Sequence, residues 1–328
     1  MHVTRRRLLA GAGVAVCAVG AASSATGVLG SRDLSTSAAP AHVVVAANGH
    51  AGVFTLRDGA LTRLDVQAPP GRLMIPPPAA TPIATAITVG ARRVWIVRGR
   101  TVLGYTTDQT NLNQVWTTTP QHLPPGKLVL ASAGGWLWVA DSGGRQVEPI
   151  NVHEPKLWTA ADLSVVPGQR QAVGVRDPIL SLAAVPGAVW ALTTTPAGGT
   201  QLSQIVSRVG AERSRDVLES SRAPIGISAY GGILCVLVRG EILHLNATTG
   251  RVLRKITVPS TMQAISVSDG HVVVSAPATG AVLDISLVDP SIHQIQQVSA
   301  PARALVATPA GFWASVGPDA TPTKYTGL

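Results

Sequence analysis

The chain has 328 residues, 46% of them hydrophobic and 13% charged, which is apolar enough to bury a sizeable core and poor in charge for a cytoplasmic globular protein. The formal charge is +9, but Arg5, Arg6, Arg7, Arg32 and Asp33 precede Pro40, leaving 22 basic and 16 acidic residues in the rest of the chain. Those charges form no long Lys/Arg run and no basic stripe with interleaved aromatics, so the pattern argues against nucleic-acid binding.

Met1 to Gly30 reads as a targeting segment. Arg5-Arg6-Arg7 stands before a stretch from Leu8 to Gly30 that has no charge and is dominated by Ala and Gly. A weakly hydrophobic run behind a twin arginine suits a twin-arginine export signal. The same segment is long enough to serve as an uncleaved membrane anchor. Export, with the mature chain secreted or held on the outer side of the cytoplasmic membrane, is expected on either reading. Residues 31–40 are Ser, Thr, Ala and Pro in the main and read as a flexible spacer. Cys17 lies in the leader and Cys235 in an apolar strand, so no disulfide is expected in the mature chain.

From residue 41 onward a short apolar hairpin recurs. Its copies are His42-Val43-Val44-Val45, Val94-Trp95-Ile96-Val97, Trp136-Leu137-Trp138-Val139, Ala188-Val189-Trp190-Ala191, Ile233-Leu234-Cys235-Val236, His271-Val272-Val273-Val274 and Phe312-Trp313-Ala314-Ser315. Taking Val44, Trp95, Trp138, Trp190, Cys235, Val273 and Trp313 as equivalent, the mean spacing is about 45 residues, the length of a four-stranded propeller blade. The runs are short and rich in Val and Ile, with Gly and Pro between them, as strands buried between stacked sheets require. The predicted class is therefore all-β: a propeller of antiparallel four-stranded blades. Seven blades are expected, or six if the first and last fragments share one.

The fifth repeat shows the expected order. Ile225 to Ala229 is the inner strand, Ile233 to Val238 the second, Glu241 to Leu245 the third and Arg251 to Val258 the outer one. Inner strands are also expected around Ile87–Val89, Leu128–Leu130, Leu180–Ala183, Ile265–Val267 and Ala304–Val306. The insert from Gln67 to Pro82 reads as a surface connection. Ala211 to Ser221 is the one stretch expected to make a short helical turn. The first repeat reads as lacking an inner strand, and the last, ending at Leu328, as short of an outer one. Propellers close by pairing such terminal pieces in one blade, which removes free sheet edges.

The phrase Leu245-Asn246-Ala247-Thr248-Thr249-Gly250-Arg251-Val252-Leu253 resembles the D-x-x-T-G signature of bacterial exported propellers with YVTN or quinoprotein-like (PQQ-like) repeats. Asp108 to Trp116 and Asn151 to Trp158 resemble it more loosely. The resemblance implies the fold and says little of activity, because these repeats serve enzymes, sensors and scaffolds alike. Only Trp116 and Trp158 occupy the late position at which quinoprotein blades dock, so no quinone or other cofactor is expected.

Catalytic and metal residues are not evident. His42, His50, His122, His153, His244, His271 and His293 include no pair at ligand spacing. No G-x-S-x-G elbow, calcium loop or phosphate loop is present. Cys235 takes a core position in its hairpin. Trp95, Trp138, Trp190 and Trp313 share one register position and are expected to wedge between blades rather than stack on a carbohydrate.

One rim is the candidate binding surface. Turns after the second strands should lie together there and are read as carrying His50, Arg98, Arg100, Arg145, Arg239 and Lys324. The expected function is a non-catalytic binding or assembly platform in the bacterial cell envelope. It would act as a monomer on a protein or anionic envelope component, with no nucleic acid involved. The alternative is a metal-dependent lyase or lactonase resembling virginiamycin B lyase. Such enzymes gather His and Glu around the channel, whereas the inner strands here carry hydroxyls and aliphatics.

Overall fold

The computed structural model describes residues 43–326 apart from 49–51, 58–59, 65–73, 76–83, 91–92, 107–111, 113, 121–122, 124–126, 134, 153–171, 209–210, 277, 290, 292, 299–301, 309–310 and 317–320. The leader and spacer lie outside these residues. The described residues form 27 strands and no helix.

Sheet one holds β1 (Val43–Asn48), β2 (Gly52–Arg57), β3 (Ala60–Arg63) and β4 (Met74–Ile75). Sheet two holds β5 (Ala84–Gly90), β6 (Arg93–Arg98), β7 (Thr101–Thr106) and β8 (Gln114–Thr118). Sheet three holds β9 (Leu128–Ala133), β10 (Trp136–Asp141), β11 (Gln146–Asn151) and β12 (Val173–Gly174). Sheet four holds β13 (Ile179–Val185), β14 (Ala188–Thr194), β15 (Thr200–Arg208) and β16 (Ala211–Ser220). Sheet five holds β17 (Pro224–Tyr230), β18 (Ile233–Val238), β19 (Glu241–Asn246) and β20 (Val252–Thr257). Sheet six holds β21 (Ala264–Ser268), β22 (His271–Ala276), β23 (Ala281–Ser286) and β24 (His293–Gln297). Sheet seven holds β25 (Ala302–Thr308), β26 (Gly311–Val316) and β27 (Thr321–Thr326).

Each sheet is an antiparallel meander, paired in chain order. Its first strand is also the one that meets the neighbouring sheets. Around the molecule β1 adjoins β5, and then follow β9, β13, β17, β21 and β25, which returns to β1. The architecture is thus a β-propeller, with the innermost strands around its axis. Alternation sends successive side chains of a strand to opposite faces, so each sheet can bury apolar groups against both neighbours.

The third residue of every second strand does this in one direction. Phe54 packs toward Ile87 and Val94 of sheet two, and Trp95 toward Leu128 and Leu137 of sheet three. Trp138 and Trp190 extend the same packing through sheets four and five. Cys235 and Val273 face sheets six and seven, and Trp313 packs on Val53 of sheet one. Phe54, Trp95, Trp138, Trp190, Cys235 and Val273 are fully buried, whereas Trp313 is half-buried.

Three sequence expectations are corrected. Val44 belongs to β1, the inner strand of the first sheet, and Phe54 takes its supposed place in β2. The run Val43-Val44-Val45 is apolar, as innermost strands of a propeller are, and it therefore mimics a second strand. The first sheet consequently has its own inner strand, and no described strand from one end of the chain pairs with a strand from the other. Ala211 to Ser220 forms the outer strand β16, paired along nearly its whole length with β15. Pairing to a formed sheet edge overrides its weak helical propensity.

The resemblance phrase is a packing device. The Asn246 side-chain oxygen accepts from the Thr248 and Thr249 amides at 3.0 and 2.8 Å and from the Thr249 hydroxyl at 3.0 Å, which closes the turn between β19 and β20. Trp190 of sheet four donates its indole N–H to the Ala247 carbonyl at 3.0 Å. Gly250 has φ of 76°, and a Cβ there would lie 2.8 Å from the Trp190 ring and collide with Val217. Glycine is required twice over, by backbone and by space.

Candidate functional site

Second-to-third turns in an antiparallel meander emerge at the end of the sheet where the first strand begins. The turns at Arg98-Gly99-Arg100, Ser142 to Arg145 and Arg239-Gly240 therefore share one rim of the propeller. Four of the six predicted rim residues, Arg98, Arg100, Arg145 and Arg239, are brought to it. His50 lies outside the described residues, in the connection between the first and second strands of its sheet. Lys324 is exposed in β27 opposite Trp313, in mid-strand rather than in a rim turn.

The four arginines are not equivalent. Arg98 is half-buried, and its Nε and Nη2 atoms are buried with no hydrogen-bond partner among the described residues. Arg100 donates from Nη2 to the Leu123 carbonyl at 2.7 Å. Its charge also acts on Asp141, whose carboxyl burial pushes up while Arg100 draws it down. Arg145 and Arg239 are exposed, and their backbones are anchored. The Arg145 carbonyl accepts from Val175 at 2.8 Å, and the Arg239 carbonyl accepts from Arg222 Nη1 at 2.9 Å.

Sequence reasoning missed a second group on this rim. The innermost strands begin here, and Lys127, Arg176 and Arg222 directly precede or lie within four residues of the starts of β9, β13 and β17. All three are exposed. Their backbones belong to the innermost connections, while the Arg222 guanidinium reaches outward to the Arg239 carbonyl at 2.9 Å. The signal was available: each cation sits one to three residues before an inner strand, a connection that returns to the same rim as the second-to-third turn. Asp141 and Asp177 share the rim but are 8% and 4% exposed. Exposed Glu219 and half-buried Glu241 lie at strand ends on this rim, in the outer and third strands of their sheets. On the opposite rim, the described turns carry exposed Asp269 and Asp289 together with exposed Arg251.

Elsewhere the chemistry is quiet. Cys235 is buried, and burial pushes its thiol far above the ordinary range, so the thiolate nucleophile is suppressed. Among the described residues, no three His, Cys, Asp or Glu side chains group as metal ligands. The described histidine side chains are His244, half-buried, His293, exposed, and His271. Burial first, then the Arg254 charge, hold the His244 ring below the usual imidazole range.

Neither a protein-family model nor a curated protein matches the chain. Solved structures do. The chain is similar to one in a mitotic checkpoint complex, with 10% identity over 93% of this chain and 99% of that one, at a TM-score of 0.59. It is similar to a chain of Kuenenia stuttgartiensis hydrazine synthase, with 10% identity over 85% and 93% and a TM-score of 0.59. The WD40 domain of Neurospora crassa Pan2 matches with 10% identity over 84% and 85% and a TM-score of 0.54. At such identities the likeness establishes the β-propeller fold and nothing of the chemistry.

Proposed function

We propose that this protein is an exported propeller that acts as a binding or assembly platform in the bacterial cell envelope, contacting an acidic protein or anionic envelope component through its basic rim. Residues 1–30 would be the export signal or anchor, 31–40 a spacer and 41–328 the propeller. The observation that carries the reading is the cluster of exposed cations on one rim. Exposed Lys127, Arg145, Arg176, Arg222 and Arg239 occupy it, whereas the described turns of the other rim mix exposed Asp269 and Asp289 with exposed Arg251. Summed over a rim, such charges raise the local concentration of an anionic partner and speed its encounter, an effect that salt screens. The use of a similar fold within a mitotic checkpoint complex is a precedent for a propeller placed in a protein assembly.

The test is Arg145→Glu combined with Arg239→Glu. Both side chains are exposed, so the pair leaves the packing intact. Retention of the double variant on anionic envelope fractions at low salt should fall well below that of the wild type, with the difference vanishing as salt is raised. Equal retention at low salt overturns the basic-rim reading.

A further inference from the structure

Sheets six and seven meet through a polar group, whereas Trp95, Trp138, Trp190 and Trp313 place an indole at their junctions. His271, the first residue of β22, lies on the same face as Val273, toward sheet seven. Its Nδ1 is 2.7 Å from Oδ1 of Asp284 in β23, and its Nε2 is 2.9 Å from the Thr308 carbonyl at the end of β25. The Asp284 side chain is 0% exposed and that of His271 12%.

The proton count follows from the partners. A carbonyl oxygen only accepts, so Nε2 carries a hydrogen. The 2.7 Å contact between Nδ1 and a carboxylate oxygen holds a second proton, whether it is drawn on nitrogen or on oxygen. The His271–Asp284 pair therefore contains one proton more than a neutral imidazole beside a free carboxylate. Removing it leaves one N–H for two acceptors. The carboxylate is the charged and stronger acceptor, so it retains the N–H and the nitrogen facing Thr308 becomes a lone pair. The bond that is given up is the one between sheets.

We propose that His271, Asp284 and the Thr308 carbonyl form a proton-operated clasp that holds sheet seven against sheet six and loosens as the medium turns alkaline. The charged groups acting on the ring from the elements around it are Asp284 on β23 and Asp269 in the turn before β22. Lys324 of sheet seven sits opposite Trp313, on the face turned to sheet one. Burial opposes the imidazolium, but the hydrogen bond and charge of Asp284, the Thr308 carbonyl and the Asp269 charge outweigh it, and the ring titrates above its ordinary range. A raised value in the folded chain means that the clasp is fully present below the unfolded imidazole value and is lost as pH rises through the folded one.

The experiment is a nitrogen-15 titration of the ring in the wild-type chain, with hydrogen exchange of β26 amides measured against β18 amides in the same sample. The internal reference cancels the intrinsic pH dependence of exchange. The expected result is a doubly protonated ring at about pH 6 whose midpoint lies above the free-imidazole value, with β26 losing protection relative to β18 through that midpoint. In His271→Gln the relative loss should disappear, and in Asp284→Asn the ring should titrate lower than in the wild type. A ring already neutral at about pH 6 in the native chain overturns the clasp, and so does a relative loss of protection unchanged in His271→Gln. The wild-type titration decides the matter even if a variant does not fold.

Discussion

The junctions on the two sides of sheet five solve one packing problem in different ways. Between sheets four and five, Trp190 fills the gap and donates its indole N–H to the Ala247 carbonyl. Between five and six the same register position holds Cys235, and opposite it Ser228 accepts the Val267 amide across the junction at 3.1 Å. Between six and seven Val273 is paired with Ser266, which accepts the Ala307 amide at 2.9 Å. Where the wedge is small, the innermost strands come within hydrogen-bonding reach and a hydroxyl stitches them. The comparison teaches that a propeller junction can rest on volume or on direction. Volume tolerates slippage of the contact, whereas a hydroxyl bond fixes the distance between neighbouring strands.

The sharpest way to break this contrast is Trp190→Ala. It removes both the indole bond and the largest buried volume of its junction, and should cost about 3–5 kcal/mol in chemical denaturation. Ser266→Ala strands the Ala307 amide in a buried setting and should cost about 1–3 kcal/mol by the same assay. If the small-wedge junctions rest on hydroxyls rather than on the wedge residue, Cys235→Val is nearly volume-conserving and should cost less than about 1.5 kcal/mol. A cost for Cys235→Val equal to that of Trp190→Ala would erase the distinction. The wild-type Cys235 thiol should resist alkylating reagents near neutral pH until the chain unfolds, because burial keeps it protonated. Smallest of all, Arg239→Glu on the rim should change stability by no more than about 0.5 kcal/mol, since its side chain is exposed.

Much of the fold is legible in the chain because strand signals here are local. The predicted inner segments all fall within β5, β9, β13, β17, β21 and β25, and Ile233 to Val238 is the observed β18 to the residue. The errors lie where local pattern is ambiguous. An apolar inner strand such as β1 looks like a buried second strand, so the first repeat was read one strand out of step. Polar Ala211 to Ser220 has no apolar period to announce it, and only the edge of β15 makes it a strand. The rim was half legible. Arg98, Arg100, Arg145 and Arg239 follow from hairpin turns, but Lys127, Arg176 and Arg222 join them through strand direction, which a turn-by-turn reading overlooks. His271 was read as a lone strand histidine. An acid at Asp284 inside the apolar run Ala281 to Ser286 was the signal, since a buried carboxylate needs a partner.

The amino-acid order by itself determines the meander. Val, Ile and Trp at alternate positions and Gly at turns select strands and hairpins whose contacts span a few residues. Which groups meet across sheets was decided only by the assembled ring. Thr308 is 37 residues from His271, and Ala247 is 57 from Trp190. Their encounter depends on the angle at which one finished sheet packs on the next, a quantity set by the packing of all the side chains between them rather than by any local run of residues.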